Sequence, residues 1–154
     1  MTQPTHIRPV TEADLSQLCR LIAALLAELG GDDGPDPASL EPAAAQVLRL
    51  GGCGFLAEQA GQPVGALMLS PCAAIYAGGA FGEISELYVI PACRSSGVAR
   101  ALIAAACAEG RDRGWKWLEV GAPAQPAWAR SLAFYRREGF AEIGPRLRLL
   151  LTPS

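Results

Sequence analysis

Lysine occurs once in this chain, at Lys116, and histidine once, at His6. A GxxxxGKS/T phosphate loop is thereby excluded, because Lys116 stands between two tryptophans and follows no glycine-rich turn of that form. The GxGxxG dinucleotide fingerprint is missing as well. A Ser-His-Asp hydrolase would have only His6 as its base, and no GxSxG elbow offers it a nucleophile. The cysteines, Cys19, Cys53, Cys72, Cys93 and Cys107, are odd in number and form no CxxC, which argues against a disulfide framework or a zinc knuckle. No cluster of His, Asp, Glu or Cys has metal-ligand spacing, so no metal is expected. Positive charge is scarce: Lys+Arg 13 against Asp+Glu 15 gives a net charge of -2, and no basic run is visible. Nucleic acid is therefore not an expected partner. Apolar runs are broken by Arg, Glu or Gly well short of the roughly 20 residues a membrane span needs, so no membrane is expected either. Residues 1–6 lack a basic segment followed by an apolar one, so no secretion signal is expected. With the thiols read as reduced, the expected compartment is the cytoplasm.

What is present is a chain of 154 residues with 51% apolar and 18% charged side chains, enough for one domain over residues 1–154 with a substantial core. A short opening strand lies around His6–Pro9, and Thr11 with Asp14 caps the helix that follows. Leu15, Leu18, Ile22, Leu25 and Leu29 recur at helical spacing until Gly30 and Gly31 stop them. A second helix is expected over about 40–50, with Pro42 in its first turn. Residues 53–58 and 63–70 read as two strands joined by a glycine-containing turn. Residues 71–82 read as part strand and part loop, and the next strand as about 82–90. A helix is expected over 97–113, a strand over 115–120 and a helix opened by Pro126 and ended by Gly139. Residues 140–151 read as a last strand, bent at Gly144 and Pro145. The order β-α-α-β-β-β-α-β-α-β requires a mixed sheet covered by helices on both faces.

The junction from Ser85 to Arg100 carries the clearest chemistry. An apolar strand meets a short turn that opens a helix, so several backbone N–H groups point one way and suit a phosphate. Gly97 removes a β-carbon where backbone must approach a ligand, and Ala99 keeps the first helical turn slim. Arg94 offers a fork of donors, and Ser95 and Ser96 offer hydroxyls. An ordinary strand-to-helix turn in which Gly97 only relieves strain fits the local pattern equally well. Cys93 beside it is read as a packing thiol in preference to a reactive one.

Ile7-Arg8-Pro9 followed by Thr11 and Asp14, the run Glu86-Leu87-Tyr88-Val89-x-Pro91-x-x-Arg94-x-x-Gly97-Val98-Ala99, and Phe134-Tyr135-Arg136-Arg137-Glu138-Gly139-Phe140 occur in that order. In these three motifs the chain resembles the GNAT superfamily of acyl-CoA N-acyltransferases over essentially its full length. The resemblance implies a centrally splayed sheet and direct transfer of an acetyl group from acetyl-CoA to a primary amine. It implies coenzyme binding by Val89 (through its backbone, to the pantetheine arm), Arg94, Ser95, Ser96, Gly97, Val98 and Ala99. Tyr135 stands at the usual position of the general acid that protonates the departing sulfur. Glu86 stands at a frequent general-base position, with Glu83 as substitute. Residues three apart in a regular strand face opposite sides, so both carboxylates line one pocket only if a bulge intervenes.

Two positions depart from the pattern: Ala99 replaces the last glycine of the coenzyme motif, and Trp128 replaces an asparagine common seven residues before the tyrosine. Trp128, Leu132 and Tyr135 share one helical face by spacing, so Trp128 walls the acyl or acceptor pocket in this reading. The acidic loop Asp32-Asp33-Gly34-Pro35-Asp36 either attracts a cationic acceptor or serves solubility. An acyl-CoA-binding module without turnover is the alternative to an enzyme, and both a monomer and a homodimer are compatible with the chain.

Overall fold

Thr11 donates its N–H to Asp14 Oδ2 at 2.7 Å, and this closed turn launches α1, Leu15–Gly30. Of the expected leucine stripe, Leu18 is buried, Leu15, Ile22 and Leu25 are partly buried against the core and Leu29 is exposed, while Leu21, outside the stripe, also lies in the core. Gly31 ends the helix at φ +70°, a conformation that favours glycine, with its N–H on Ala27 O. Asp36 caps the following turn through the Ala38 N–H, and α2 runs Glu41–Arg49. The computed structural model describes residues 3–122, 124, 125 and 127–153. Met1 and Thr2, and the expected loop and helix-opening prolines Pro123 and Pro126, lie outside them. The chain divides into two compact units, Met1–Gly121 and Ala122–Ser154.

In the first unit five strands form one sheet in chain order: β1 His6–Pro9, β2 Cys53–Gln59, β3 Gln62–Ala74, β4 Gly79–Val89 and β5 Leu118–Val120. The first four are antiparallel neighbours, and β5 lies parallel to β4 after the crossover helix α3, Val98–Asp112. The sheet is therefore mixed, as expected. Ala66, Met68 and Tyr88 face α1 and α2, in one core with Leu18, Leu21 and Val47. On the opposite face a β-carbon at Gly65 would touch Leu102 and Val98 of α3, both at 3.3 Å. Helices thus cover both faces.

Two expectations for this unit change. Residues 71–82 are part strand, as expected, but the connecting segment shrinks to a turn at 75–78, because β3 continues to Ala74 and β4 begins at Gly79. Trp115 does not begin the fifth strand, because its N–H bonds Gly110 O at the end of α3 and its ring packs on Gly82.

Arg8 ties β1 to the start of α1 and to β2. Its guanidinium donates to both oxygens of Asp14 at 2.9 and 2.8 Å and to Glu58 at 2.9 Å. Asp14 is buried, and the Arg8 bonds hold its carboxyl down at about 2 against the opposing effect of burial. The folded value lies below the ordinary 3.8, so the stabilisation is complete above about pH 4. It is lost as the pH falls through about 2. Asp14→Ala should destabilise the protein by about 2 kcal/mol near neutral pH, since the charge-assisted bonds of a buried carboxylate are lost while Arg8 keeps Glu58. Denaturant unfolding at several pH values should show that penalty shrinking below pH 4, and a pH-independent penalty would contradict the assignment.

In the second unit, α4 runs Ala129–Arg137 from Trp128 and is closed by Gly139 at φ +100°. Tyr135 packs against Phe134 and edge-on to Phe140, with ring centroids 5.6 Å apart in each case. The expected last strand is not formed: residues 140–151 have no regular structure. Gly144 at φ +121° and Pro145 interrupt the run, and Leu147, Leu149 and Leu151 stand exposed. Apolar alternation makes a strand only where a neighbouring strand takes up its N–H and C=O groups.

Candidate functional site

The first half of β4 is paired on both sides and the second half on one. The β4–β5 register ends at Ile84↔Val120, whereas β3 accompanies β4 as far as Gly65↔Val89. The Ile90 N–H bonds Val64 O, so Val89 sits at a non-bonded position of the β3–β4 ladder. Its own N–H and C=O therefore point to the side from which β5 has departed. This is the splay that the resemblance implies.

Beyond Val89 a short turn at Pro91–Cys93 leads through Ser95, at φ +62°, to Gly97, at φ +89°, and into α3. Among the described residues no side chain caps this helix, so the amides of Val98 and Ala99 are left for another acceptor. A β-carbon at Gly97 would meet no atom within 4 Å, so its positive φ calls for glycine, and protein packing does not. The side chain of Val98 is buried at the α3 side of the sheet, so this residue can serve a ligand only through its backbone. Ser96 Oγ donates to Cys93 O at 2.6 Å and braces the turn, while Ser95 is exposed.

Arg94 departs from the expectation of a free phosphate fork. Its Nε donates to Val89 O at 2.8 Å, its Nη2 pairs with Glu28 of α1, and its guanidinium lies 5.4 Å from the centre of the Tyr88 ring. The Arg94 bond holds the Glu28 carboxyl below its usual range, and burial raises the Tyr88 phenol. Arg94 so placed fixes the turn to α1 and consumes the Val89 carbonyl, leaving the Val89 N–H as the group that this residue directs to the side of β5. Nothing near Glu28 in the sequence signals this partner, which lies 66 positions from Arg94.

On the α1/α2 face, the β3–β4 register skips one residue: Met68 pairs with Glu86 and Leu69 with Ile84. Ser85 is the extra residue of a bulge, and its hydroxyl donates to Glu86 Oε2. Glu83, opposite Ser70, and Glu86, opposite Met68, consequently face the same side of the sheet. Glu86 borders a cavity of about 160 Å³ between α1, α2 and the sheet, walled by Leu18, Ile22, Val47 and Met68. In the sequence Leu18 and Ile22 belong to the expected apolar stripe of α1, and nothing there singles out Val47 or Met68. The acidic loop does not line this cavity, and Asp32 and Asp36 instead accept the N–H groups of Gly34 and Ala38.

In the second unit Trp128, Leu132 and Tyr135 are each half-buried, in keeping with one shared face, and burial raises the Tyr135 phenol above its ordinary value. Among the described residues no helix is long and apolar enough to cross a membrane.

A family model described as the acetyltransferase (GNAT) family matches residues 20–140. The chain is 26% identical to a solved acetyltransferase of Trypanosoma brucei, covering 96% of this chain and 100% of that one, with a TM-score of 0.74. It is 22% identical to a ribosomal-protein-alanine N-acetyltransferase from Brucella melitensis, covering 97% and 100%, with a TM-score of 0.74. A third similar structure is an aminoglycoside acetyltransferase from an uncultured soil metagenomic sample, in complex with sisomicin. It is 20% identical, with 97% of each chain covered and a TM-score of 0.76. No curated protein matches the sequence.

Proposed function

This chain belongs to the acetyltransferase (GNAT) family, and on that premise we propose that it is an enzyme transferring the acetyl group of acetyl-CoA to a primary amine. The observation that carries the proposal is the course of β4, which loses β5 at Ile84 and runs into the uncapped first turn of α3. Backbone donors of that turn, with the positive φ of Gly97, suit a diphosphate, and the Val89 N–H suits the amide of a pantetheine arm. When bound, the coenzyme supplies a thioester whose carbonyl carbon the amine nitrogen attacks, the C–S bond breaking with its electron pair left on sulfur.

Glu86 receives the proton that an ammonium acceptor must lose before its nitrogen has a lone pair. Ser85 orients that carboxylate through its hydrogen bond. Tyr135 returns a proton to the coenzyme sulfur from its hydroxyl. This role rests on the motif around Tyr135, whose phenol, ordinarily near 10 and raised further by burial, is in its acid form at neutral pH.

Release of free thiol from acetyl-CoA in the presence of an amine tests the reading. A folded protein that bound neither acetyl-CoA nor free coenzyme would overturn it. Glu86→Gln should lower turnover about 100-fold. The bulge puts Glu83 on the same face, so loss of turnover in Glu83→Gln alone would transfer the role to that carboxylate. Trp128 in place of the common asparagine favours a second reading, an acyl-CoA-binding module without turnover. That reading requires coenzyme affinity with no thiol release for any amine.

A further inference from the structure

The cavity beside Glu86 is lined almost wholly by aliphatic side chains. Its deep end is formed by Leu18 and Met68, 2% and 4% exposed, and its outer rim by Leu26, 38% exposed. Ile22 and Val47 complete aliphatic walls from α1 and α2. Among the described residues that line it, Glu86 is the single charged one. A volume of about 160 Å³ is close to the roughly 150 Å³ of an aliphatic protein cavity that holds one benzene ring.

We propose that this cavity is the acceptor subsite, and that it takes a primary amine bearing one benzene-sized apolar group on a short linker, with the ammonium at Glu86. The inference rests on the acetyl-transfer reading and adds the substrate class to it. Burial of the apolar group supplies binding energy, and the lone carboxylate complements one positive charge. A polyhydroxylated polycation is disfavoured there. Its further ammonium and hydroxyl groups would lose water without gaining partners in an aliphatic pocket. The same argument disfavours acceptors with a carboxylate beside the amine, which Glu86 repels.

The test compares 2-phenylethylamine and isoamylamine with ethylamine, spermidine and kanamycin, using thiol release from acetyl-CoA by the full chain. The apolar amines should exceed ethylamine in kcat/KM by roughly 10- to 100-fold, and spermidine and kanamycin should not exceed ethylamine. Ala44→Leu, which fills the cavity, should reduce the preference for 2-phenylethylamine over ethylamine at least about tenfold. Calorimetric titration of the protein with 2-phenylethylamine gives a readout without turnover and should show binding that Ala44→Leu weakens. Higher kcat/KM for spermidine or kanamycin overturns the substrate class and leaves acetyl transfer standing. If no amine releases thiol, the enzymatic reading fails, and the titration decides the subsite: no binding of 2-phenylethylamine overturns it.

Discussion

Gly97→Asp should cost at least about 100-fold in acetyl-CoA affinity, whereas Gly97→Asn should cost less than about tenfold. Both side chains enter the left-handed region more readily than other non-glycine residues, so the strain of φ +89° is similar in the two variants. Neither collides with the protein, since a β-carbon there has no neighbour within 4 Å. What separates them is a negative charge set beside the amides of the α3 first turn, where a diphosphate would have to lie. Like charges brought together in such a site cost several kcal/mol, and 1.4 kcal/mol is a factor of ten. Calorimetry on folded protein measures the ratio, which should shrink as salt is raised. Equal affinities for the two variants would remove the diphosphate from this turn.

Tyr135→Phe should lower kcat by about 10² to 10⁴, with a matching fall in kcat/KM and nearly unchanged coenzyme affinity. The substitution keeps the ring between Phe134 and Phe140, so the packing of α4 on its own C-terminal turn survives and only the hydroxyl is lost. Burial raises the phenol above its ordinary value near 10. The acid form is therefore present through neutral and mildly alkaline pH and disappears only as the pH rises past that raised value. Steady-state kinetics from pH 6 to about 10 should show the deficit of the variant across the whole range. Wild-type turnover by Tyr135→Phe over that range would take the residue out of the mechanism.

Local elements were legible where one stretch of chain contains the reason for them. The Thr11–Asp14 turn, the leucines of α1 and the glycine stop follow one another along the single stretch 11–31. The β4-turn-α3 junction was legible for the same reason, because its strand, Gly97 and helix are contiguous. Periodicity predicts a strand over 140–151 that does not form, because it shows what a strand would look like and says nothing of a partner. Arg94 was read from the chemistry of its own side chain, and its actual position depends on Glu28, a carboxylate delivered by a different helix.

Composition and order of residues alone were enough to imply a mixed α/β chain with a glycine-containing strand-to-helix turn and to rule out a Walker loop or a nucleophile elbow. Three-dimensional pairing decided the rest. The skipped register at Ser85 turns Glu83 and Glu86 to one face, a result that depends on how β3 aligns with β4. The aliphatic cavity beside Glu86 exists because α1 and α2 cross the same sheet face without filling it, and side chains that serve one helix as core serve the cavity as wall.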